Sequence, residues 1–208
     1  MVITIDGLSC NGKTTLARML SEKLEFKNFS TGAIYRCIAL EIINKNLDIN
    51  DINATIEKLQ TINITFDDNK VYLDEEDVTK EIRTEEITFY STKWGTIFEI
   101  KQLVRKIQKE FIKKYDTIME GRDIGTRIAP DADFRFYLYA DFETRVERMY
   151  NQKKSLKIEE IRENLKLIDD LDINEGNFIK PKNAIEIDTT NKNLQEVYEI
   201  MMRKIKGE

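Results

Sequence analysis

A chain of 208 residues, 41% of them hydrophobic, is long enough to bury one good core with small subdomains attached, so one enzyme-sized unit is expected. The net charge of −5, with acidic and basic residues mixed throughout, supplies no basic field for a nucleic-acid backbone, and apolar runs such as FRFYLYA are far too short to span a bilayer. Histidine is absent, which removes imidazole general bases, His-containing triads and His-ligated zinc.

The N-terminal stretch MVITIDG has neither the basic region nor the long apolar stretch of a signal peptide, so a soluble, cytoplasmic protein is expected. The two cysteines, Cys10 and Cys37, have no metal-ligand spacing and make no disulfide framework, which fits a reducing compartment.

In chain order, VITID (2–6) reads as a buried strand and TTLARMLSEKL (14–24) as the helix after it. TGAIYRCIALEIINKN (31–46) has the apolar spacing of a second helix, with Ile34, Ile38, Leu40 and Ile42 on its inner face. INITFDDNKVYLDEEDV (62–78) changes period: two short alternating runs around Asp-Asp-Asn-Lys predict a hairpin inserted into the α/β pattern. Helices follow to about residue 114, then DTIMEG (116–121) and DFRFYLYA (133–140) as strands. Residues 141–170 read as helical, NAIEID (183–188) as a last strand, and a C-terminal helix closes the chain. No repeat, low-complexity tract or linker interrupts this order, and strands alternating with helices predict a parallel sheet covered on both faces.

In that setting GLSCNGKTT (7–15) matches G-x-x-x-x-G-K-[ST] between strand and helix. Such a loop wraps backbone N–H groups around phosphates at a helix N-terminus, where the helix dipole favours an anion. Gly7 and Gly12 supply backbone freedom, Lys13 reaches the outer phosphates, the Thr14 hydroxyl can ligate Mg²⁺, and Thr15 completes the cradle. The alternative is an ordinary strand-to-helix turn with a solvated lysine. Cys10, inside the loop, reads as a small filler rather than a nucleophile.

Four blocks, STGAIYR (30–36), EDVTKEIRTEEI (76–87), EGRDIGTRIAPDA (120–132) and IEIDTT (185–190), resemble the cytidylate kinases in order and spacing, with GRDIGT the most distinctive. The resemblance implies the P-loop nucleoside monophosphate kinase fold, α/β with a central parallel sheet. It implies a core at about 1–30, 115–148 and 159–208, an acceptor-binding part at about 31–114 holding the hairpin, and a short lid near 149–158. It implies ATP and Mg²⁺, small-molecule nucleotides as the only partners, and a monomer.

Residue by residue, the resemblance gives Arg36 and Arg122 the acceptor phosphate, a task suited to a guanidinium fork. Asp123 matches a cytosine-binding carboxylate and Asp172 one that contacts the sugar. Thr31 stands where a serine touches the base, Thr92 where another reaches the sugar, and Lys101 where the family has an arginine near the base. Arg145 and Arg148, in ETRVERMY, match basic residues placed over the ATP, with Lys13, Arg122 and Arg148 as the catalytic cations. Taken singly, each is equally a salt-bridged corner or a solvated helix face.

The segment LKLIDDLDINEGNF (165–178) departs from the family. Ile168, Leu171 and Glu175 occupy positions where arginines neutralise the transferring phosphoryl group, while Asp169, Asp170 and Asp172 remain. An arginine acting on such a transition state is worth roughly 10³–10⁵ in rate. Substitute cations are available in Lys153, Lys154, Lys157, Arg162, Lys166, Lys180 and Lys182. Three readings stay open: γ-phosphate transfer from ATP to CMP or dCMP, a nucleotide-binding protein of the same fold with lost or weak transfer, and a small-molecule kinase with a different acceptor.

Overall fold

The computed structural model describes residues 1–67, 70–152, 156–174 and 178–208. Along the chain run β1 (Val2–Asp6), α1 (Lys13–Leu24), β2 (Lys27–Ser30), α2 (Thr31–Asn44), α3 (Ile52–Leu59), β3 (Ile64–Asp67), β4 (Lys70–Leu73) and β5 (Glu76–Asp77). There follow α4 (Glu85–Trp94), α5 (Phe98–Lys114), β6 (Thr117–Gly121), β7 (Phe134–Tyr139), α6 (Phe142–Gln152), α7 (Ile158–Asn174), β8 (Ile185–Asp188) and α8 (Leu194–Lys206). A 3-10 turn, Glu81–Arg83, precedes α4, and a five-residue π turn, Ile124–Ile128, follows β6. The chain divides into two compact units, Met1–Phe26 with Asp116–Glu208, and Lys27–Tyr115.

In the first unit β6, β1, β7 and β8 lie side by side and parallel. β1 is an interior strand, with Asp6 opposite Gly121 on one side and Tyr137 on the other. Its residues Ile3 to Asp6 are fully buried, which is why VITID reads as an unbroken apolar run rather than an alternating one. Ile3, Ile5, Ile118, Phe136 and Leu138 pack with Leu16, Ala17 and Leu20 of α1 and with Val197, Met201 and Met202 of α8. Burial of this kind stabilises by about 25 cal/mol per Å² of apolar surface. An Asn193–Glu196 capping box starts α8, and Gly207, at φ +78°, ends it. A smaller cluster of Val146, Ile161 and Leu165 joins α6 to α7.

In the second unit β3, β4 and β5 form an antiparallel meander, with Ile64 opposite Leu73 and Tyr72 opposite Asp77. The rings of Phe29, Phe66 and Phe111 meet at 4.3–6.0 Å between centroids.

The structure corrects the sequence reading in four places. The hairpin carries a third short strand, β5, and its turn at Asp68 and Asn69 lies outside the described residues. The strand β2 was hidden because KNFS buries one side chain, Phe29, completely and leaves the others partly exposed. The helix α3 is only two turns long and begins at Asp51, whose carboxylate caps Ala54 N at 3.2 Å. The helical stretch predicted over 141–170 is two helices, α6 and α7, and the second continues to Asn174.

Candidate active site

Between β1 and α1 the chain turns on two glycines. Gly7, at φ +152°, passes so close to β7 that a Cβ would meet the Leu138 carbonyl oxygen at 2.2 Å. Asn11 Nδ2 donates to that same oxygen at 3.0 Å, so the loop is pinned at both ends to one strand. Gly12, at φ +82°, is the left-handed residue that starts α1 and brings no side-chain cap. The N–H groups of the first turn, and the positive end of the helix dipole, therefore face the loop.

Four cationic side chains donate to this loop. Lys13 Nζ donates to Leu8 O at 2.7 Å, Arg145 to Ser9 O at 3.5 Å, Arg148 to Cys10 O at 3.4 Å, and Arg122 to Ser9 Oγ at 3.0 Å. Three consecutive carbonyls, those of Leu8, Ser9 and Cys10, thus accept from positive side chains, which gathers cationic groups around the loop. The Cys10 side chain packs against the Val146, Ile161 and Leu165 cluster.

Two carboxylates end the flanking strands. Glu120, at the end of β6, accepts from Thr14 Oγ1 at 3.4 Å. Asp6, at the end of β1, accepts from Ile124 N at 2.8 Å and Gly125 N at 2.7 Å. Burial pushes the Asp6 carboxyl up to about 7, opposed by those two backbone bonds and the positive field of Lys13, with Asp123 adding to the rise. Burial likewise lowers the Lys13 ammonium to about 8, helped by Arg122 and opposed by Glu120, Asp6 and Cys10. Sequence reasoning missed both acids, although a signal existed: each closes a buried apolar run immediately before a glycine, in IDG and MEG.

Arg122 is ion-paired through Nε to Asp172, and burial holds the Asp172 carboxyl above its ordinary range despite the guanidinium. Arg145 is buried, clasped by Asp169 through both oxygens, and lies 5.5 Å from the Phe142 ring centroid. Arg148 donates to Thr189 Oγ1 at 2.9 Å and to the Thr189 and Lys192 carbonyls, tying the loop to the turn after β8. Asp123 pairs with Arg127 at 2.9 Å. Thr14 is exposed at the start of α1 and Thr15 half-buried. On α7 Ile168 is half-buried and Leu171 exposed, while Glu175, Lys153 and Lys154 lie outside the described residues. Of the candidate replacement cations, Arg162 pairs with Glu143 at 2.7 Å and Lys180 with Glu186 at 2.8 Å.

In the second unit Thr31 and Arg36 stand on the first two turns of α2, where Thr31 Oγ1 accepts from Gln108 Nε2 at 2.9 Å. The Arg36 guanidinium lies over Gly32, 3.8 Å from where a Cβ would stand. Thr92 donates to Thr88 O at 2.9 Å within α4, and Lys101 sits half-buried at the start of α5.

A sequence model of the family described as cytidylate kinase matches residues 3–207. The chain belongs to the cytidylate kinase family. A cytidylate kinase of Clostridioides difficile is 35% identical over 99% of this chain and 98% of its own, and that of Caldanaerobacter subterraneus 36% identical over 99% and 96%. An uncharacterized protein from Eubacterium ventriosum superposes with a TM-score of 0.57 at 10% identity, covering 100% of this chain and 99% of that one, a likeness of fold alone. The cytidylate kinase match spans both units, so the glycine loop of one and the Thr31 and Arg36 side chains of the other fall inside it.

Proposed function

We propose that this protein transfers the γ-phosphate of ATP to CMP or dCMP, in line and without a covalent enzyme intermediate. The observation that carries the reading is the phosphate loop, with left-handed Gly12 opening α1 and Lys13 buried beside it, in a chain matched to cytidylate kinases over nearly its whole length. Gly7, Gly12, Lys13, Thr14 and Thr15 hold the ATP phosphates, with Arg145 and Arg148 supporting them. Arg36 and Arg122 take the acceptor phosphate, Asp123, Thr31 and Lys101 the base, and Asp172 and Thr92 the sugar. The part at about 31–114 serves the acceptor, and the lid is assigned to the stretch near 149–158, of which residues 153–155 lie outside the described residues.

Mg²⁺ fits this site. The exposed Thr14 hydroxyl and the Glu120 carboxylate, 3.4 Å apart, are the hard oxygen donors that this ion accepts alongside substrate phosphates. When bound, it neutralises phosphate charge. The protein's own contribution is positioning and positive charge. The same reading places a monomer in the cytoplasm, with no nucleic-acid or membrane partner.

A second reading, nucleotide binding with weak transfer, is favoured by Ile168 and Leu171 and by the pairing of Arg122 and Arg145 with Asp172 and Asp169. ADP release coupled to a panel of CMP, dCMP, UMP and AMP decides between them. Fastest release with CMP or dCMP supports transfer. Release with no monophosphate, while millimolar ATP still raises the Tm, supports the binding reading.

A further inference from the structure

Asp6 serves no step in the transfer just described, yet it is the most completely buried carboxylate near the loop and both its oxygens are used. Its donors are two consecutive backbone N–H groups, Ile124 and Gly125, at the entrance of the π turn that directly follows Arg122 and Asp123. On its own strand it is followed at once by Gly7, the first residue of the phosphate loop. One carboxylate therefore stands between the segment assigned to the donor phosphates and the segment assigned to the acceptor. Resting on the proposed kinase reading, we infer that Asp6 is a positioning residue, a bracket that sets the distance between the phosphate loop and the Arg122–Asp123 grip.

Three further observations support the bracket. A Cβ at Gly125 would lie 3.0 Å from Asp6 Oδ2, 2.7 Å from Thr4 Oγ1 and 2.9 Å from Pro181 Cγ, so the glycine of GRDIGT is required by the closeness of this approach. The far side of the turn is held independently, by Thr126 Oγ1 donating to Ile179 O at 2.8 Å. The acid side chain is also the group that fits: each of its two oxygens accepts from one N–H, whereas an amide would turn an NH₂ toward one of them and leave a buried donor unsatisfied.

Asp6→Asn is the first test, in the full-length chain, with ATP and CMP binding measured separately from turnover. Binding of each ligand is expected within several-fold of wild type. The kcat is expected to fall by about 10²-fold, the cost of a misplacement of about 1 Å between reacting groups. Amide exchange at Ile124 and Gly125 is expected to be slow in the wild type and fast in the variant. Gly125→Ala approaches the same bracket from the turn and keeps the charge; it should give the same split and covers the case in which Asp6→Asn does not fold. Thr126→Val, which loosens the turn from its other side, is the control and should lower Tm with little loss of kcat. Equal kcat losses in Thr126→Val and Asp6→Asn at matched Tm, or unchanged exchange at Ile124 and Gly125, would overturn the inference. A wild type that does not phosphorylate CMP defeats the functional reading instead, and the exchange measurement separates the two failures.

Discussion

Arg145 and Asp169 meet through two parallel hydrogen bonds, at 3.0 and 2.6 Å, with side chains only 7% and 10% exposed. Removing one partner of such a pair leaves a buried charge uncompensated, at a cost of about 3–5 kcal/mol. Asp169→Ala should therefore lower the urea midpoint by that equivalent. It should also raise the KM for ATP, because Arg145 holds Ser9 O of the loop. Arg162 and Glu143 form a pair of similar length at 2.7 Å but are 49% and 67% exposed. There Arg162→Ala should cost about 0–1 kcal/mol. Equal costs at the two sites would show that burial does not decide their worth.

Lys13 is 7% exposed and donates to Leu8 O within its own loop. Lys13→Ala should leave the far-UV spectrum and cooperative melting in place. Its kcat should fall by roughly 10²–10³, the range seen when one preorganised donor to developing charge is lost. Wild-type turnover in the variant would contradict the role given to this lysine.

Asp6 makes a pH prediction with a definite sign. Its carboxyl rises from 3.8 to about 7 in the fold, so between those values the native state holds a proton that the unfolded chain has released. Its contribution is fully present below the lower value and is lost as pH rises toward about 7. Asp67, Asp77, Asp141 and Asp188 are shifted down by hydrogen bonds and act in the opposite sense, at pH below their ordinary range. Chemical denaturation from pH 4 to 8 should show stability falling in the wild type, with that slope reduced in Asp6→Asn. An identical slope in both would contradict the assignment.

The glycine turn between β1 and α1 was legible because its demands are local. Gly7 and Gly12 lie five residues apart in one turn of chain, and each is demanded by backbone conformation or close approach. The helices with strong apolar period, α1 and α8, were legible for the same reason. What sequence could not show was pairing across distance. Asp169 and Arg145 are 24 residues apart, and Asp6 and Gly125 are 119 apart. Neither distance leaves a periodic trace, so the acids on α7 read only as remnants of a family pattern. The boundary between α6 and α7 was hidden because charged residues run on through it, and β2 because four residues are too few to set a period.

Ile168 and Glu175, which stand where the resemblance expects arginines, give a graded test. Ile168 is half-buried on α7, so a longer side chain can leave the helix there without opening the core. With CMP, the wild type should be slow mainly in kcat, and Ile168→Arg combined with Glu175→Arg should raise kcat by about 10- to 150-fold, the equivalent of one charged hydrogen bond of about 1.5–3 kcal/mol. A wild-type kcat already at roughly 1–100 s⁻¹ would show that other cations do this work. No gain from a slow wild type would show that this segment does not face the phosphates.

The central claim is that phosphate moves from ATP to a cytidine monophosphate on this chain. Incubation of the purified protein with Mg²⁺, CMP and ATP radiolabelled at the γ-phosphate, followed by chromatographic separation of products, tests it directly. Label should be recovered in CDP, with Lys13→Ala and Arg122→Ala strongly reduced. Label recovered only in ATP or inorganic phosphate would contradict the account.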